Sequence, residues 1–221
     1  AMNNFFESIN KNAILKYLGY RYGEVPGEIM DEIDRALAIV EKVSRPKFVY
    51  RVFDKEDPTL KDILLGQDIN DMDKDSFKVI LLAVTLGQEI EMEVRRLSFT
   101  DLSLSVVTDA AASAAVEALA DNVAENLHED FDGFYFTDMF SPGYGDLPIG
   151  IQDKFLTLIN AKKELGLTTT REGIMVPRKS ISALVGVSQN KQTHRHRGCE
   201  SCRLFMDCEF RRRGEYCGYQ K

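Results

Sequence analysis

The sequence predicts an α+β fold in which a mostly antiparallel, twisted sheet packs with helices. Two apolar segments, residues 77–85 and 180–187, have the composition of strands. Helical patterns lie between the predicted strands without regular β–α–β alternation, and several predicted strands in the C-terminal half follow one another closely. This irregular order favours an antiparallel sheet over a doubly wound parallel one.

The N-terminal half predicts helices around two strands. Residues 26–43 begin with Pro26, carry acidic residues in their first turns and repeat apolar residues at helical spacing, which together are typical of a helix. Residues 47–53 are predicted to form one strand, and residues 77–85, the most apolar run, a central one. Shorter helices are predicted over residues 10–19, 60–65, 70–76 and 88–97.

Residues 101–128 contain the longest predicted helix. Residues 110–115 are nearly all alanine, so this helix can pack unusually close to its neighbours. Thr108 or Asp109 is predicted to cap its second half. One face carries an acidic residue at every fourth position: Glu117, Asp121 and Glu125. This acidic row either faces solvent or directs a carboxylate towards a cationic ligand.

The C-terminal half adds one helix and four strands. Residues 134–138 predict a strand and residues 152–165 a helix. The last strands are predicted over residues 168–170, 173–177 and 180–187. Small residues in the final strand leave room for a ligand against the sheet: Ser180, Ser182, Ala183 and Gly186.

The segment 140–150 is rich in residues with special backbone properties. It has glycine at positions 143, 145 and 150 and proline at 142 and 148, which excludes a helix or an interior strand. It is either a structural turn or a loop that lets a ligand approach the backbone, with N–H groups available at the start of the next helix. It does not match the GxGxxG fingerprint, and no P-loop lysine follows it.

Composition and charge disfavour several classes of partner. With 221 residues and 44% apolar residues, the chain can bury a sizeable core. A net charge of −7 disfavours nucleic acid and anionic membranes. No apolar run approaches the roughly 18 residues of a membrane span, and the N-terminus lacks the pattern of a signal peptide. We therefore expect a cytoplasmic protein without nucleic-acid or membrane partners.

A change in composition near residue 190 predicts an α+β core over residues 1–190 and a basic tail over 191–221. The tail has eight Lys or Arg residues against four acids. It also holds all four cysteines, which are Cys199, Cys202, Cys208 and Cys217. Clustered cysteines in a chain without an export signal favour a metal site over disulfides.

Four thiolates suit either zinc or a [4Fe–4S] cluster. The spacing lacks the second CxxC of a zinc ribbon, which favours the iron–sulfur cluster, and zinc is the alternative. Four unliganded cysteines are the remaining interpretation.

Several short motifs occur in order along residues 10–188. One group is Ser-Pro-Gly-Tyr-Gly at 141–145, the helix from Gln152, Met-Val-Pro at 175–177, Ser-Ile-Ser at 180–182 and Gly186. This group resembles the activation domain of cobalamin-dependent methionine synthase. A second group is Leu-Gly-Tyr-Arg at 18–21, Gly-Gln-Asp-Ile at 66–69, Thr-Leu-Gly at 85–87 and the segment 121–128. The second group resembles shorter, stand-alone relatives of that domain.

The resemblance implies a domain that binds S-adenosylmethionine. In the family, this domain docks on the cobalamin-binding domain after the cofactor is oxidised to cob(II)alamin. Reduction coupled to methyl transfer from S-adenosylmethionine then regenerates methylcobalamin. The chemistry occurs at cobalt, so the resemblance implies an accessory subunit in methionine biosynthesis that is not an independent catalyst.

The implied partner is the cobalamin-binding domain of a methionine synthase or another corrinoid protein, and the cobalamin belongs to that partner alone. An electron donor such as flavodoxin or ferredoxin is the second implied partner. The alternative function is an iron–sulfur redox module, or a zinc-stapled interaction protein, that serves a corrinoid partner without binding S-adenosylmethionine.

The resemblance also implies the residues that contact the ligand. Ser141, Gly143, Tyr144 and Gly145 match the ligand-binding loop, in which backbone groups contact the adenine and ribose and the tyrosine packs on the ligand. Asp121 matches an acidic position that contacts the ligand near its positive charge.

One position departs from the family pattern. Where the family has an arginine that grips the ligand's carboxylate, this chain has Met139. Arg171, Arg178 or a residue of the basic tail would have to supply that charge.

Overall fold

A four-stranded antiparallel sheet forms the centre of the protein. The structure, a computed structural model, describes residues 5–20, 25–191 and 205–214. The strands of this sheet are β1 (Lys47–Asp54), β2 (Ser76–Thr85), β3 (Tyr135–Phe136) and β6 (Ser180–Ser188). Their order is β1-β2-β6-β3, and all neighbours are antiparallel. A separate two-stranded sheet pairs β4 (Thr168–Thr169) with β5 (Met175–Val176).

Helices cover both faces of the sheet. The α-helices are α1 (Lys11–Tyr17), α2 (Gly27–Val43), α3 (Gln67–Asp73), α4 (Glu89–Thr100), α5 (Leu102–Glu129), α6 (Gln152–Leu158), α7 (Ala161–Leu165) and α8 (Glu209–Arg212). Short 3-10 helices run over Phe5–Ser8, Pro58–Asp62 and Ile149–Ile151. One core lies between the sheet and α1, α2, α4 and α5, and a second lies between the sheet and α3, α6 and α7. The predicted antiparallel sheet packed with helices is confirmed.

Burial on both faces explains the apolar run in β2. Ile80, Leu82 and Val84 belong to the core under α5, whereas Val79 and Leu81 belong to the opposite core. Successive side chains of a strand point to opposite faces, so a strand covered on both faces must be apolar at almost every position. The sequence therefore predicts the central position of β2 correctly.

The alanine-rich α5 runs through the larger core. It contacts α1, α2, α4, β2 and β6, and most of its alanines are buried. This helix is long and apolar enough to span a membrane by those two measures alone, but most of its most apolar window is buried inside the protein. Asp101 caps its N-terminus by accepting a hydrogen bond from the Leu104 N–H at 3.1 Å. The predicted cap at Thr108 or Asp109 is wrong because both residues lie inside one continuous helix.

Two other predictions are corrected by the structure. The helix expected over residues 152–165 is two helices, because Asn160 adopts a left-handed backbone conformation with φ of 55° between them. Asparagine tolerates this conformation better than most residues. The strand expected over residues 134–138 is shortened to β3, after which Phe140 forms an isolated bridge with Leu184.

Gly186 in β6 is required by close packing, so we expect Gly186→Ala to destabilise the protein by about 1–3 kcal/mol. A methyl group there would collide with Ser76 Oγ and approach Thr137 Cγ2 to 2.8 Å. The room predicted beside Gly186 is therefore filled by the protein itself. Urea unfolding measures the loss of folding free energy. Gly27→Ala, at a position with no heavy atom within 4 Å, is the control that should cost nothing; equal losses for the two variants would contradict this account.

Asp73 at the end of α3 makes stability depend on pH. Its side chain is only 3% exposed, and this burial raises the pKa of its carboxyl above the ordinary 3.8, although Lys55 Nζ lies 3.3 Å from Oδ1 and opposes the shift. The folded state thus binds this proton more tightly than the unfolded chain, so the group's contribution to stability falls as the pH rises above 3.8.

We expect Asp73→Asn to remove that decline. The unfolding free energy of the variant, relative to that of the original protein, should increase as the pH is raised from 3.8. Urea unfolding at a series of pH values measures this difference. A difference that stays constant across the series would show that the carboxyl does not titrate abnormally.

Candidate functional site

A large cavity lies beside β6, between α5 and the loop that follows β3. Its volume is about 880 Å³. Residues 138–144 form one wall, α5 forms another, and residues 173–183 form the third. This volume lies within the range of about 300–1,000 Å³ that is common for small-molecule sites.

The structure brings three of the predicted ligand residues together at this cavity. Asp121 on α5 and both Ser141 and Tyr144 of the loop line it. Gly143 and Gly145 belong to the same loop but are not among the lining residues. Their assignment as ligand contacts stays a prediction.

The loop 141–147 is held by its own backbone. The Tyr144 N–H donates to the Ser141 carbonyl at 3.1 Å, and the Gly143 N–H donates to the Leu147 carbonyl at 2.9 Å. Gly143 has a φ of +92°, which favours glycine, and its α-carbon faces Ile149. The prediction of a glycine-dependent turn is therefore confirmed at this position.

Two aspartates tie the loop to the start of α3, and we call this pair the aspartate clasp (Asp68 and Asp146). The Gln67 N–H donates to Asp146 Oδ2 at 2.6 Å, and the Asp68 N–H donates to Asp146 Oδ1 at 3.2 Å. In return, the Asp146 N–H donates to Asp68 Oδ2 at 3.0 Å. Each carboxylate thus satisfies backbone N–H groups of the opposite segment, and Asp146 caps a helix N-terminus, which favours negative charge.

Glycine precedes both arms of the clasp. Gly66 and Gly145 have φ values of +94° and +52°. A side chain at Gly66 would collide with Asp146, and one at Gly145 would collide with Asp68. The loop can therefore reach α3 only because both positions lack a side chain.

The floor of the cavity is polar, and its groups are paired with one another. Gln152 is buried and its Nε2 donates to Ser182 Oγ at 2.7 Å. Ser180 Oγ donates to the Pro177 carbonyl at 2.7 Å and lies 2.8 Å from Thr85 Oγ1. The serines of β6 do line the cavity, as the sequence suggested, but these bonds also fix the position of the floor.

Charge is distributed unevenly around the cavity. Glu117, Asp121 and Asp138 line it, and Arg178 is the only cation among the described lining residues. Met139 also lines the cavity. The backbone N–H of Arg178 donates to a carboxylate oxygen of Glu91 on α4, which anchors the segment that carries this guanidinium.

Glu117 makes a contact that the sequence did not predict. Tyr17 at the end of α1 donates its hydroxyl to Glu117 Oε1 at 2.5 Å. Burial, and then the hydrogen bond and charge of Glu117, raise the pKa of Tyr17 above its ordinary value, and the nearby Tyr144 adds to the shift. Glu117 is exposed, as expected for a solvent-facing acidic row, but it also accepts this hydrogen bond and lines the cavity.

Three apolar side chains surround the opening of the cavity, and we call them the apolar rim (Tyr144, Ile149 and Ile174). Each of them lines the cavity and is also exposed, Tyr144 to 70%. Large apolar side chains that stay exposed together often mark an interaction surface.

Several residues of the candidate site could not be predicted from the sequence. Tyr17 and Glu117 are distant in the chain, as are Asp68 and Asp146, and no local pattern pairs them. Gln152 was recognised only as the start of a helix. The single sequence signal for Arg178 was the absence of an arginine at position 139.

The predicted metal site lies mostly outside the described residues. Cys199, Cys202 and Cys217 fall outside them, and Cys208 is half-buried just before α8. Within the described ranges, no group of three or more His, Cys, Asp or Glu side chains is arranged to hold a metal ion. The four-cysteine site and the domain boundary at residue 190 stay predictions.

The structure is thus a helix-covered antiparallel α+β domain with a cavity of a size common for small-molecule sites. Among solved structures, this chain is similar to one described as the crystal structure of the MetH reactivation domain bound to AdoHcy, with a TM-score of 0.65 and 15% sequence identity. The match covers 97% of this chain and 84% of that one. The chain therefore has the fold of that reactivation domain, as the sequence motifs predicted. No family model and no curated protein matches the sequence.

Proposed function

We propose that this protein binds S-adenosylmethionine in the cavity and supports the reductive remethylation of cobalamin on a partner protein. One observation carries the proposal. Asp121, Ser141 and Tyr144, chosen from the sequence alone, line one cavity in a fold whose solved counterpart is bound to AdoHcy. The partner is the cobalamin-binding domain of a methionine synthase or a related corrinoid protein.

The chemistry of the cavity fits this ligand. Its carboxylates suit a sulfonium and an α-amino group, and Arg178 suits the ligand's carboxylate. Arg178 thus takes the role of the family arginine that Met139 replaces. Apolar wall residues such as Phe140 and Pro142 offer a surface for the adenine.

The opening of the cavity fits a transfer to another protein. The apolar rim is exposed, so a bound ligand can face a docked partner across it. Methyl transfer to cobalt needs the protein to position the sulfonium, and no acid, base or nucleophile has to be supplied by this chain. We assign this surface to the corrinoid partner.

Calorimetry with S-adenosylmethionine tests the proposal directly. We expect saturable binding to the full chain, strengthened by the cobalamin-loaded partner. Absence of binding at millimolar ligand, both with and without that partner, would refute the ligand assignment.

Two substitutions locate the site, and we expect both to weaken binding. Asp121→Ala removes a carboxylate near the ligand's positive charge and should cost about 1.5 kcal/mol or more. Gly143→Val disturbs the turn, since its side chain would face Ile149 at a φ of +92°. Glu125→Ala, one turn further along α5 and not among the lining residues, is the matched control. If it weakened binding as much as Asp121→Ala, the ligand would lie elsewhere.

The four cysteines of the tail are relevant to the proposal because reactivation consumes an electron. A [4Fe–4S] cluster on these thiolates would suit that need, and zinc would not. Anaerobic purification followed by an absorption spectrum separates a brown iron–sulfur protein from a colourless zinc protein. A colourless protein with bound zinc would exclude electron delivery by the tail.

Met139 favours a second candidate function, a redox or interaction module for a corrinoid protein that has lost S-adenosylmethionine. Its side chain lines the cavity at the position where the family has an arginine. In that case, calorimetry would show no ligand binding, while the corrinoid partner would still be retained by the immobilised chain.

A further inference from the structure

We propose that the outer edge of β1 binds an extended segment of another protein, in which acidic residues alternate with apolar ones, as an additional antiparallel strand of the sheet. β1 lies at the end of the sheet opposite β3, and β2 separates it from β6, beside which the cavity lies. The proposed surface is therefore separate from the apolar rim. The inference goes beyond the proposed function and does not depend on it.

The backbone of β1 leaves every second residue free to pair outwards. The Lys55 N–H donates to the Phe77 carbonyl at 3.0 Å, and β1 pairs one-to-one with β2 from Lys47 to Asp54. Since the hydrogen bonds of an antiparallel ladder alternate along each strand, the odd-numbered residues of β1 bond to β2 and the even-numbered ones face the outer edge. Within the described part of the chain, no strand pairs with this edge. Three even-numbered residues in the middle of β1 thus have N–H and C=O groups available to another strand.

The side chains of these three residues form an exposed apolar stripe (Phe48, Tyr50 and Val52). They are 40%, 37% and 39% exposed, and the rings of Phe48 and Tyr50 stack at 6.5 Å with 7° between their planes. The stripe shares a face of the sheet with the residues of β2 that lie under α5. The apolar surface therefore extends beyond its helical cover, and an added strand with apolar side chains on the same face would cover it.

The opposite face of β1 carries positive charge. Lys47 and Arg51 are exposed there, four positions apart. The acid of the strand, Asp54, already pairs with Lys78 at 2.6 Å. The helix that packs against β1, α7, adds two exposed lysines against one glutamate. This face therefore attracts a strand with acidic side chains.

The same cations disfavour a second copy of this chain as the occupant. In an antiparallel pairing of two β1 strands centred on Val49, Lys47 of each copy would oppose Arg51 of the other. In a pairing centred on Arg51, the two arginines would oppose each other, and in one centred on Tyr50 they would be diagonal neighbours. Like charges directly opposite each other destabilise a strand pair, whereas opposite charges stabilise it. The charges of β1 thus select a different, acidic strand.

The spacing along β1 specifies the pattern of that strand. The positions opposite Lys47 and Arg51 are acidic, and those opposite the apolar stripe are apolar. A segment with the pattern Val-Glu-Val-Thr-Val-Glu-Val meets both requirements, because its two glutamates lie four positions apart on one face and its valines lie on the other. In this mode of recognition, backbone hydrogen bonds supply the affinity and alternate side chains supply the specificity.

The test is amide hydrogen exchange of the full chain, followed residue by residue by NMR, with a blocked synthetic peptide of that pattern. Without the peptide, we expect the amides of residues 48, 50 and 52 to exchange faster than those of 49, 51 and 53, which bond to β2. Saturating peptide should slow the exchange of the first three. N-methylation of the two central valines of the peptide should abolish binding, because their N–H groups face β1. N-methylation of its two glutamates, whose N–H groups face away, should preserve binding.

The charge of Arg51 is tested by reversing it. We expect Arg51→Glu to weaken binding of the glutamate peptide by about three- to tenfold and to strengthen binding of a peptide with lysine in place of both glutamates. Arg171→Glu is the matched control, since it makes the same change of charge at an exposed position in the turn between β4 and β5. It should leave both affinities unchanged, and an equal loss in this variant would overturn the assignment to β1.

Other outcomes would also overturn the proposal. One is failure of the glutamate peptide to bind at millimolar concentration, and another is equal binding of the two N-methylated peptides. A third is slow exchange of the same three amides without peptide, together with dimer formation in sedimentation, since a second copy would then occupy the edge. None of these results bears on the binding of S-adenosylmethionine, so the proposed function stands or fails separately.

Discussion

Replacing Gly145 with alanine is expected to destabilise the protein by about 2–3 kcal/mol and to weaken ligand binding. The added methyl group would collide with Asp68 and lie 3.0 Å from Phe140 Cζ, at a φ of +52° that disfavours side chains. Relief of the collision requires the aspartate clasp to open. The loop that carries Ser141 and Tyr144 would then lose its attachment to α3.

Gly150→Ala is the matched control for this prediction. Gly150 lies just beyond the same loop, has no heavy atom within 4 Å of an added methyl group and does not need a positive φ. Urea unfolding of both variants measures the stability difference, and calorimetry measures binding. If the Gly145→Ala variant were as stable as the Gly150→Ala variant, the result would show that the clasp does not hold the loop.

Replacing Arg178 with alanine is expected to weaken binding of S-adenosylmethionine by about 1–2 kcal/mol, roughly five- to thirtyfold. This guanidinium is the only cation among the described residues of the cavity wall, so the ligand's carboxylate has no other positively charged partner there. The variant should keep its stability, because the anchor of this segment on α4 is the backbone N–H of residue 178.

Arg171→Ala is the control for this second prediction. Arg171 is exposed in the turn between β4 and β5 and is not among the lining residues, although it has the same charge and lies near Arg178 in sequence. Calorimetry should show no change for it. If Arg171→Ala lost affinity and Arg178→Ala did not, the ligand's carboxylate would lie on the opposite side of this hairpin from the cavity.

The elements that sequence patterns predicted best are those with one dominant local cause. β2 is apolar at nearly every position because helices cover both of its faces. The apolar residues of α2 repeat about every 3.6 positions because one side of this helix is buried. The break at Asn160 was missed because the apolar repeat continues through it, so the pattern does not reveal a single left-handed residue. The end of β3 was also missed, since its length depends on pairing with β6.

In the candidate site too, some residues could be predicted from local sequence and others only from the tertiary structure. The glycine loop was recognisable because a positive φ favours glycine. Gly143 and Gly145 both have a positive φ, so the sequence shows this requirement directly. The order of short motifs suggested Asp121 and the fold. The choice of Arg178 over Arg171 required the cavity, because both arginines satisfy the same requirement for charge.

By itself, the sequence determined the class of fold, the central strand, the glycine loop and three residues that line the cavity, because each of these follows from local residue preferences or from ordered motifs. Only the tertiary structure decided that Asp68 and Asp146 clasp the loop to α3, and that Tyr17 holds Glu117 at the cavity. Those pairs join segments far apart in the chain, and the folding of the whole core brings them within hydrogen-bond distance. The glycine loop is thus recognisable from its sequence, whereas its attachment to α3 depends on the tertiary structure.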